Sequence, residues 1–277
     1  MAAVLSVSSS LEKLTLRFES PQSRPDLKSR RPPPLKCSVI PSLTRFIFEG
    51  VSEYLEDLVT CIDAPQLNKL LMTFLNQIDF YTPGLPQFID RTPAFRARYG
   101  AHVQFRGSDV AVELTYRANE SGYAASQTQI SCSCREPDRH LSSVAQICNS
   151  SLPPISMVED LYIERHGYKQ LVWEYDDAVE NTLCLELILP SVAVKNLYLT
   201  KVFVPGIAAA LQELVRGRIT EVLPNLQKII VDTLEPSGCF QESIGEFVAA
   251  RQLTGHSITI SGWDRDLVRA RSQEVNY

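Results

Sequence analysis

Cys132, Cys134, His140 and Cys148 place four soft ligands within 17 residues, so a structural zinc site is the first chemistry to weigh. Such sites favour paired cysteines separated by two to four residues. Here the order is Cys-x-Cys, five residues, His, seven residues, Cys, which fits none of the usual spacings. The expectation is buried, reduced thiols and no metal. The remaining cysteines, Cys37, Cys61, Cys184 and Cys239, are scattered and bring the total to an odd seven, which is no disulfide framework.

Catalysis has few other residues to work with. His102, His140, His166 and His256 are the only histidines, and no Gly-x-Ser-x-Gly, Walker loop, Gly-x-Gly-x-x-Gly or His-Glu-x-x-His occurs. The chain is therefore expected to be no enzyme and to carry no cofactor. "YDDAVEN" (175–181) lacks the glycine and spacing of a calcium loop, and reads as the acidic start of a helix. "GHSITISGWD" (255–264) holds a Gly-His and a Trp-Asp, but too close together for a propeller blade. "KSRRPPPLK" (28–36) reads as part of an exposed, basic, proline-rich loop over 19–40, with a nuclear import signal as its functional alternative.

Charge narrows the partners. Residues 1–36 carry seven Lys/Arg against three Asp/Glu, so the remainder holds −9 of the net −5. A basic stretch that local does not make a nucleic-acid binder. No apolar run approaches the roughly 18 residues of a membrane helix, and the opening "MAAVLSVSSSLEKL" has no basic start and makes a poor signal peptide. These features predict an intracellular protein of cytoplasm or nucleus, with no membrane contact. The sequons at Asn119 and Asn149 would matter only in a secreted chain.

Whatever the chain does must be positioned by its elements, and those repeat. "VEDLYIERHG" (158–167) and "VKNLYLTKVF" (194–203) share V-x-x-L-Y at the same places. An apolar-x-x-apolar-x-apolar frame recurs at Leu11-Leu14-Leu16, Leu43-Phe46-Phe48, Leu67-Leu70-Met72, Val158-Leu161-Ile163, Val194-Leu197-Leu199 and Leu226-Ile229-Val231. The interval between 67 and 158 has room for two more units; "AHVQF" with "VAVELTY", and "QTQISCSC", are the candidates, although neither fits the frame well. "SITISGW" supplies a last strand. Helical stretches lie between: 52–62 with Ser52 as N-cap, 205–224 between Pro205 and Pro224, and 241–253.

A strand and helix of about 30 residues cannot bury both apolar faces alone, so neighbours stack. This predicts an α/β fold: one irregular leucine-rich-repeat solenoid over 1–277, a parallel sheet on its concave side and helices on its convex side. Three consecutive strands in 99–134 predict an antiparallel hairpin insertion around 100–134, and 268–277 a disordered tail. An ordinary α/β domain with similar strands is the alternative. In the repeat reading the outward column is Thr15, Ile47, Leu71, Tyr162, Tyr198 and Ile230. Its flanks are Lys13, Arg17, Arg45, Glu49, Lys69, Asp160, Glu164, Lys228 and Asp232. An apolar strip facing water marks a contact surface. Thr15, Arg17, Ile47, Leu71, Tyr162, Glu164, Tyr198, Ile230 and Asp232 are the candidate protein-binding residues, with the two tyrosines as anchors.

"YLEDLVTCIDAPQLNKL", "NQIDFYTPGLPQFIDRTP", "LSSVAQICNSSLPP", "AVKNLYLTKVFVPGIAAALQELV" and "IGEFVAARQLTGHSITIS" together resemble the leucine-rich-repeat half of fungal F-box proteins, over about residues 10–265. The resemblance implies substrate recognition by a subunit of a cullin ubiquitin ligase. No Leu-Pro-x-Glu-like opening of an F-box occurs in the sequence, which leaves docking to a Skp1-type adaptor in doubt and an unidentified protein as the partner. A repeat scaffold or sensor with no ubiquitin role is the alternative reading.

Overall fold

A short turn precedes each frame from Leu43 onward. In the computed structural model the amide of Leu43 donates to the carbonyl of Ile40, Leu67 to Ala64, Val158 to Ile155, Val194 to Ser191 and Leu226 to Leu223, at 2.9–3.3 Å. Pro41, Pro65 and Pro224 occupy the second position of three of these turns, where a fixed φ near −65° is already the one required. The chain then enters a strand whose first amides meet the previous repeat. Glu12 O accepts from Thr44 and Arg45, Thr44 O from Asn68 and Lys69, Glu159 O from Lys195 and Asn196, and Lys195 O from Gln227 and Lys228. One carbonyl holding two successive amides of the next repeat fixes the register at these four steps.

The structure describes residues 10–18, 37–75, 77, 80, 82–96, 98–106, 109–116, 126–133, 139–151, 155–166, 177–215, 221–232 and 239–262. Residues 19–36 of the basic, proline-rich stretch, Cys134, residues 117–125 and the tail 268–277 lie outside them. In chain order the elements are β1 (Lys13–Arg17), β2 (Ser38–Val39), β3 (Arg45–Gly50), α1 (Ser52–Val59), β4 (Ile62–Asp63), β5 (Lys69–Leu75), α2 (Gly84–Arg91), β6 (Arg98–Arg106), β7 (Asp109–Tyr116), β8 (Gln127–Ser133), α3 (Arg139–Gln146), β9 (Asp160–His166), α4 (Asp177–Ile188), β10 (Asn196–Thr200), α5 (Val204–Val215), β11 (Lys228–Asp232), α6 (Cys239–Leu253) and β12 (Thr259–Gly262). They fall into two compact units, Met1–Arg98 with Ser108–Pro153 and Tyr99–Gly107 with Pro154–Tyr277. Both are mixed α/β with a mostly parallel sheet.

In the first unit the strand order is β1-β3-β5-β8-β7. The pairs β1/β3, β3/β5 and β5/β8 are parallel, and β7 runs antiparallel to β8. Leu14, Phe46 and Leu70 stand in register, as do Leu16, Phe48 and Met72. The frame residues from Leu43 to Met72 are fully buried, while Leu11 and Leu16 stay half-buried on the edge strand. β8 continues the rows with Thr128 beside Leu70 and Ile130 beside Met72. The polar Thr128 is buried there because Tyr116 of β7 donates to its hydroxyl at 2.7 Å. β2 and β4 form a separate parallel pair.

In the second unit the order is β6-β9-β10-β11-β12, with each neighbouring pair parallel. Ala101, Leu161, Leu197, Ile229 and Ile260 share one row; Val103, Ile163, Leu199, Val231 and Gly262 share the next. Consecutive helices α4, α5 and α6 contact one another. Among the described residues no helix is long and apolar enough to cross a membrane.

Three local expectations change. Ser52 is not an N-cap: Val51 holds that position, and buried Ser52 donates its amide to Gln77 Oε1 at 2.8 Å. A side chain from a later segment thus satisfies the helix start that a local cap would otherwise serve. The helix opening at Ser52 also stops at Val59, and Ile62 belongs to β4, since Thr60 turns the chain by donating its hydroxyl to Glu56 O at 2.9 Å. Finally, Val222 and Leu223 are buried in a turn rather than on a helix, and Leu223 has φ 48°. That left-handed conformation costs on the order of 1 kcal/mol for a residue with a Cβ. The fully buried Arg251 of α6 opposes it by donating to Leu223 O at 3.1 Å and Pro224 O at 2.9 Å. Arg91 of α2 likewise donates to two carbonyls of a turn in the first unit, Val59 O at 3.3 Å and Ile62 O at 3.5 Å.

Candidate functional site

In the second unit the residues between the frame positions project from the opposite face of the sheet, as strand pleating demands. Register brings His102, Tyr162, Tyr198, Ile230 and Ser261 into one row. Equal register on strands about 4.8 Å apart leaves flat side chains no room to tilt into an edge-to-face pair, so they stack. The His102 and Tyr162 rings lie 4.1 Å apart and 3° from parallel, and the Tyr162 and Tyr198 rings 4.0 Å apart and 10° from parallel. Each ring covers its neighbour's face, which leaves edges and hydroxyls as the surface the row offers; both tyrosines are half-buried.

The phenols are held protonated. Burial raises Tyr162 well above the ordinary phenol range, and the nearby Tyr198 and Asp160 add to it. Burial also raises Tyr198, opposed by the hydrogen bond it receives from Tyr162 and assisted by the Asp160 charge. These groups can donate or accept hydrogen bonds but are not bases near neutrality.

The expected flanks behave differently from solvated charges. Asp160 and Glu164 are only 3% and 8% exposed. Asn196 Nδ2 donates to Asp160 Oδ1 at 2.6 Å, and His102 Nδ1 stands 3.7 Å from Glu164 Oε1. The carboxylates are thus part of the row's support rather than free charges beside it. Ile230 and Asp232 are half-buried on β11, and Lys195 pairs with Glu159 at 3.0 Å.

The other candidates lie in the first unit. Thr15, Ile47, Leu71 and Gln129 share its outward row, with Thr15 exposed and the rest half-buried. Arg17 pairs with Glu49 at 3.4 Å, both well exposed, a geometry worth little to stability. The nine candidates are therefore divided, Thr15, Arg17, Ile47 and Leu71 in one unit and Tyr162, Glu164, Tyr198, Ile230 and Asp232 in the other. His102 and Asn196 were missed by sequence reasoning. Alternation in "YGAHVQFR" carries the signal for His102, but Ala101 in place of a leucine hid the frame.

The first unit also holds an apolar recess of about 460 Å³ lined by Leu16, Phe18, Phe48, Tyr54, Asp57, Leu58 and Cys61. Phe18 stacks on Tyr54 with ring centroids 4.9 Å apart. Cys132, Cys148 and Cys184 are buried thiols that form no disulfide, and burial pushes Cys148 up to about 12. Among the described residues no group of three His, Cys, Asp or Glu side chains could hold a metal ion.

No protein-family model, no curated protein and no solved structure matches the chain.

Proposed function

We propose that the chain is a non-enzymatic protein-binding repeat module, each unit an irregular leucine-rich-repeat-like stack whose outward strand residues meet a partner. On this reading it resembles the substrate-recognition part of an F-box subunit of a ubiquitin ligase and works inside the cell. The observation that carries the proposal is the row of His102, Tyr162 and Tyr198, continued by Ile230 and half-buried on a sheet face. Tyrosines that are already stacked lose little side-chain entropy on binding, and tyrosine is enriched among residues that dominate interface energies.

Affinity purification from cells, with wild type beside Tyr162→Ala/Tyr198→Ala and Ile230→Lys, tests it. The second variant charges the strip while leaving the rings in place. The expected result is a partner set lost in both variants while circular dichroism stays unchanged. Identical partner sets for all three chains would overturn the reading. A purified Skp1-type adaptor added directly separates a ligase subunit from a repeat scaffold or sensor: binding favours the first, and partners captured without it favour the second.

A further inference from the structure

β2 and β4 place two cysteines side by side. Their parallel register pairs Ser38 with Ile62 and Val39 with Asp63, so the residues one step earlier, Cys37 and Cys61, are neighbours across the pair. The Ser38 amide donates to Cys61 O at 2.8 Å, which joins the two peptide units directly. Adjacent strands run about 4.8 Å apart, inside the Cα separation that a disulfide spans. Both sulfurs lie against Thr60: Cys37 Sγ is 3.4 Å from its carbonyl oxygen, and Cys61 Sγ is 3.9 Å from its hydroxyl. The Arg91 guanidinium stands 3.8 Å from Cys37 Sγ.

Among the described cysteines, exposure sets this pair apart. Cys37 and Cys61 are free and half-buried, whereas Cys132, Cys148 and Cys184 are buried and out of reach of an oxidant in solution. We propose that Cys37 and Cys61 form a reversible thiol–disulfide pair, oxidised by hydroperoxides. In the first step one thiol gives its sulfur electron pair to the peroxide; the O–O bond breaks, a sulfenic acid forms and water leaves. In the second, the other thiol attacks the sulfenic sulfur, the S–O bond breaks and a second water leaves with the S–S bond formed. Two thiols thus supply the two electrons that reduce one hydrogen peroxide to two waters. The bridge would tie the end of α1 to β2 and alter one wall of the apolar recess, which Cys61 lines.

The test uses the full chain treated with a modest excess of hydrogen peroxide, alkylated, digested and mapped by mass spectrometry without reduction. The expected result is a Cys37–Cys61 linked peptide as the dominant disulfide, a melting temperature raised by several degrees, and reversal of both by dithiothreitol. Cys61→Ser should leave Cys37 as sulfenic or more oxidised forms, without a bridge. Independent alkylation of both cysteines after peroxide treatment, or a dominant bridge from either one to a different cysteine, would overturn the proposal. The wild-type map decides the matter even if the serine variant fails to fold.

Discussion

The rings of Tyr162 and Tyr198 lie face to face, 4.0 Å between centroids. Tyr162 stands in the middle of the row, with His102 on its other face at 4.1 Å, so removing it breaks two stacks, whereas removing Tyr198 breaks one. Each stacked pair contributes about 0.5–1.5 kcal/mol beyond the area it buries. Tyr162→Ala is therefore expected to cost about 2–4 kcal/mol in urea unfolding, and Tyr198→Ala about 1–2 kcal/mol. Equal losses, or a larger one at Tyr198, would show that the order of the rings does not set the energetics.

Alkaline pH should weaken the fold for a specific reason. In the unfolded chain these phenols ionise near 10.0 and the Cys148 thiol near 9.0; in the folded chain burial raises all three, Cys148 to about 12. The folded state thus holds its protons where the unfolded state has released them. The contribution of Cys148 is whole below pH 9 and that of the tyrosines below pH 10, and each is lost as pH climbs past those values. Urea midpoints taken between about pH 8 and pH 11 should fall progressively, and tyrosinate absorbance should rise in two stages, the buried phenols last. A single tyrosinate step at the ordinary value would contradict it.

Gly84 is held where no side chain fits. A Cβ there would meet Glu56 Oε1 and Thr60 Cγ2, both at 2.6 Å. Its amide donates to the same Glu56 oxygen at 2.6 Å, so the carboxylate from α1 serves the start of α2. Gly84→Ala must push that carboxylate away and is expected to cost about 1–3 kcal/mol. Glu56→Ala removes the acceptor from a buried amide at a similar cost, about 1–3 kcal/mol. Because both substitutions break one contact, the double variant should lose clearly less than the sum, read by thermal unfolding of all four chains. Additive losses would mean that the two residues act separately.

How far the sequence could be read follows from what each residue type reports. Leu, Phe, Ile and Val at frame positions announce a buried row, and two such rows stand in register in each unit. Thr128 and Ala101 fill the same positions without that signal, one because a hydroxyl can be satisfied by a partner elsewhere in the chain, the other because alanine is uninformative about burial. The Pro-x-apolar turns at Pro41, Pro65 and Pro224 were legible and would have sharpened the frame. Ser52 misled, since a local capping residue looks the same whether it caps its own helix or is itself held by Gln77. The tyrosines were visible as outward residues, but the buried state of Asp160 and Glu164 depends on neighbours from other strands, which no local pattern encodes.

Thr128 and Tyr116 allow that account to be checked by repairing the frame. Thr128→Val gives β8 the apolar residue that its row otherwise carries, but strips Tyr116 of its 2.7 Å bond. Tyr116→Phe keeps the ring packed near Phe95, at 5.3 Å between centroids, and leaves the buried Thr128 hydroxyl without that donor. Each single change is expected to cost about 1–2 kcal/mol, because each breaks a buried hydrogen bond while keeping one of its two polar groups. Making both removes the two polar groups together, which can be close to neutral. The double variant should therefore unfold within about 0.5 kcal/mol of wild type, a coupling measurable by a urea double-mutant cycle. If the double variant instead loses the sum of the singles, threonine is needed in that row for a reason other than its bond to Tyr116.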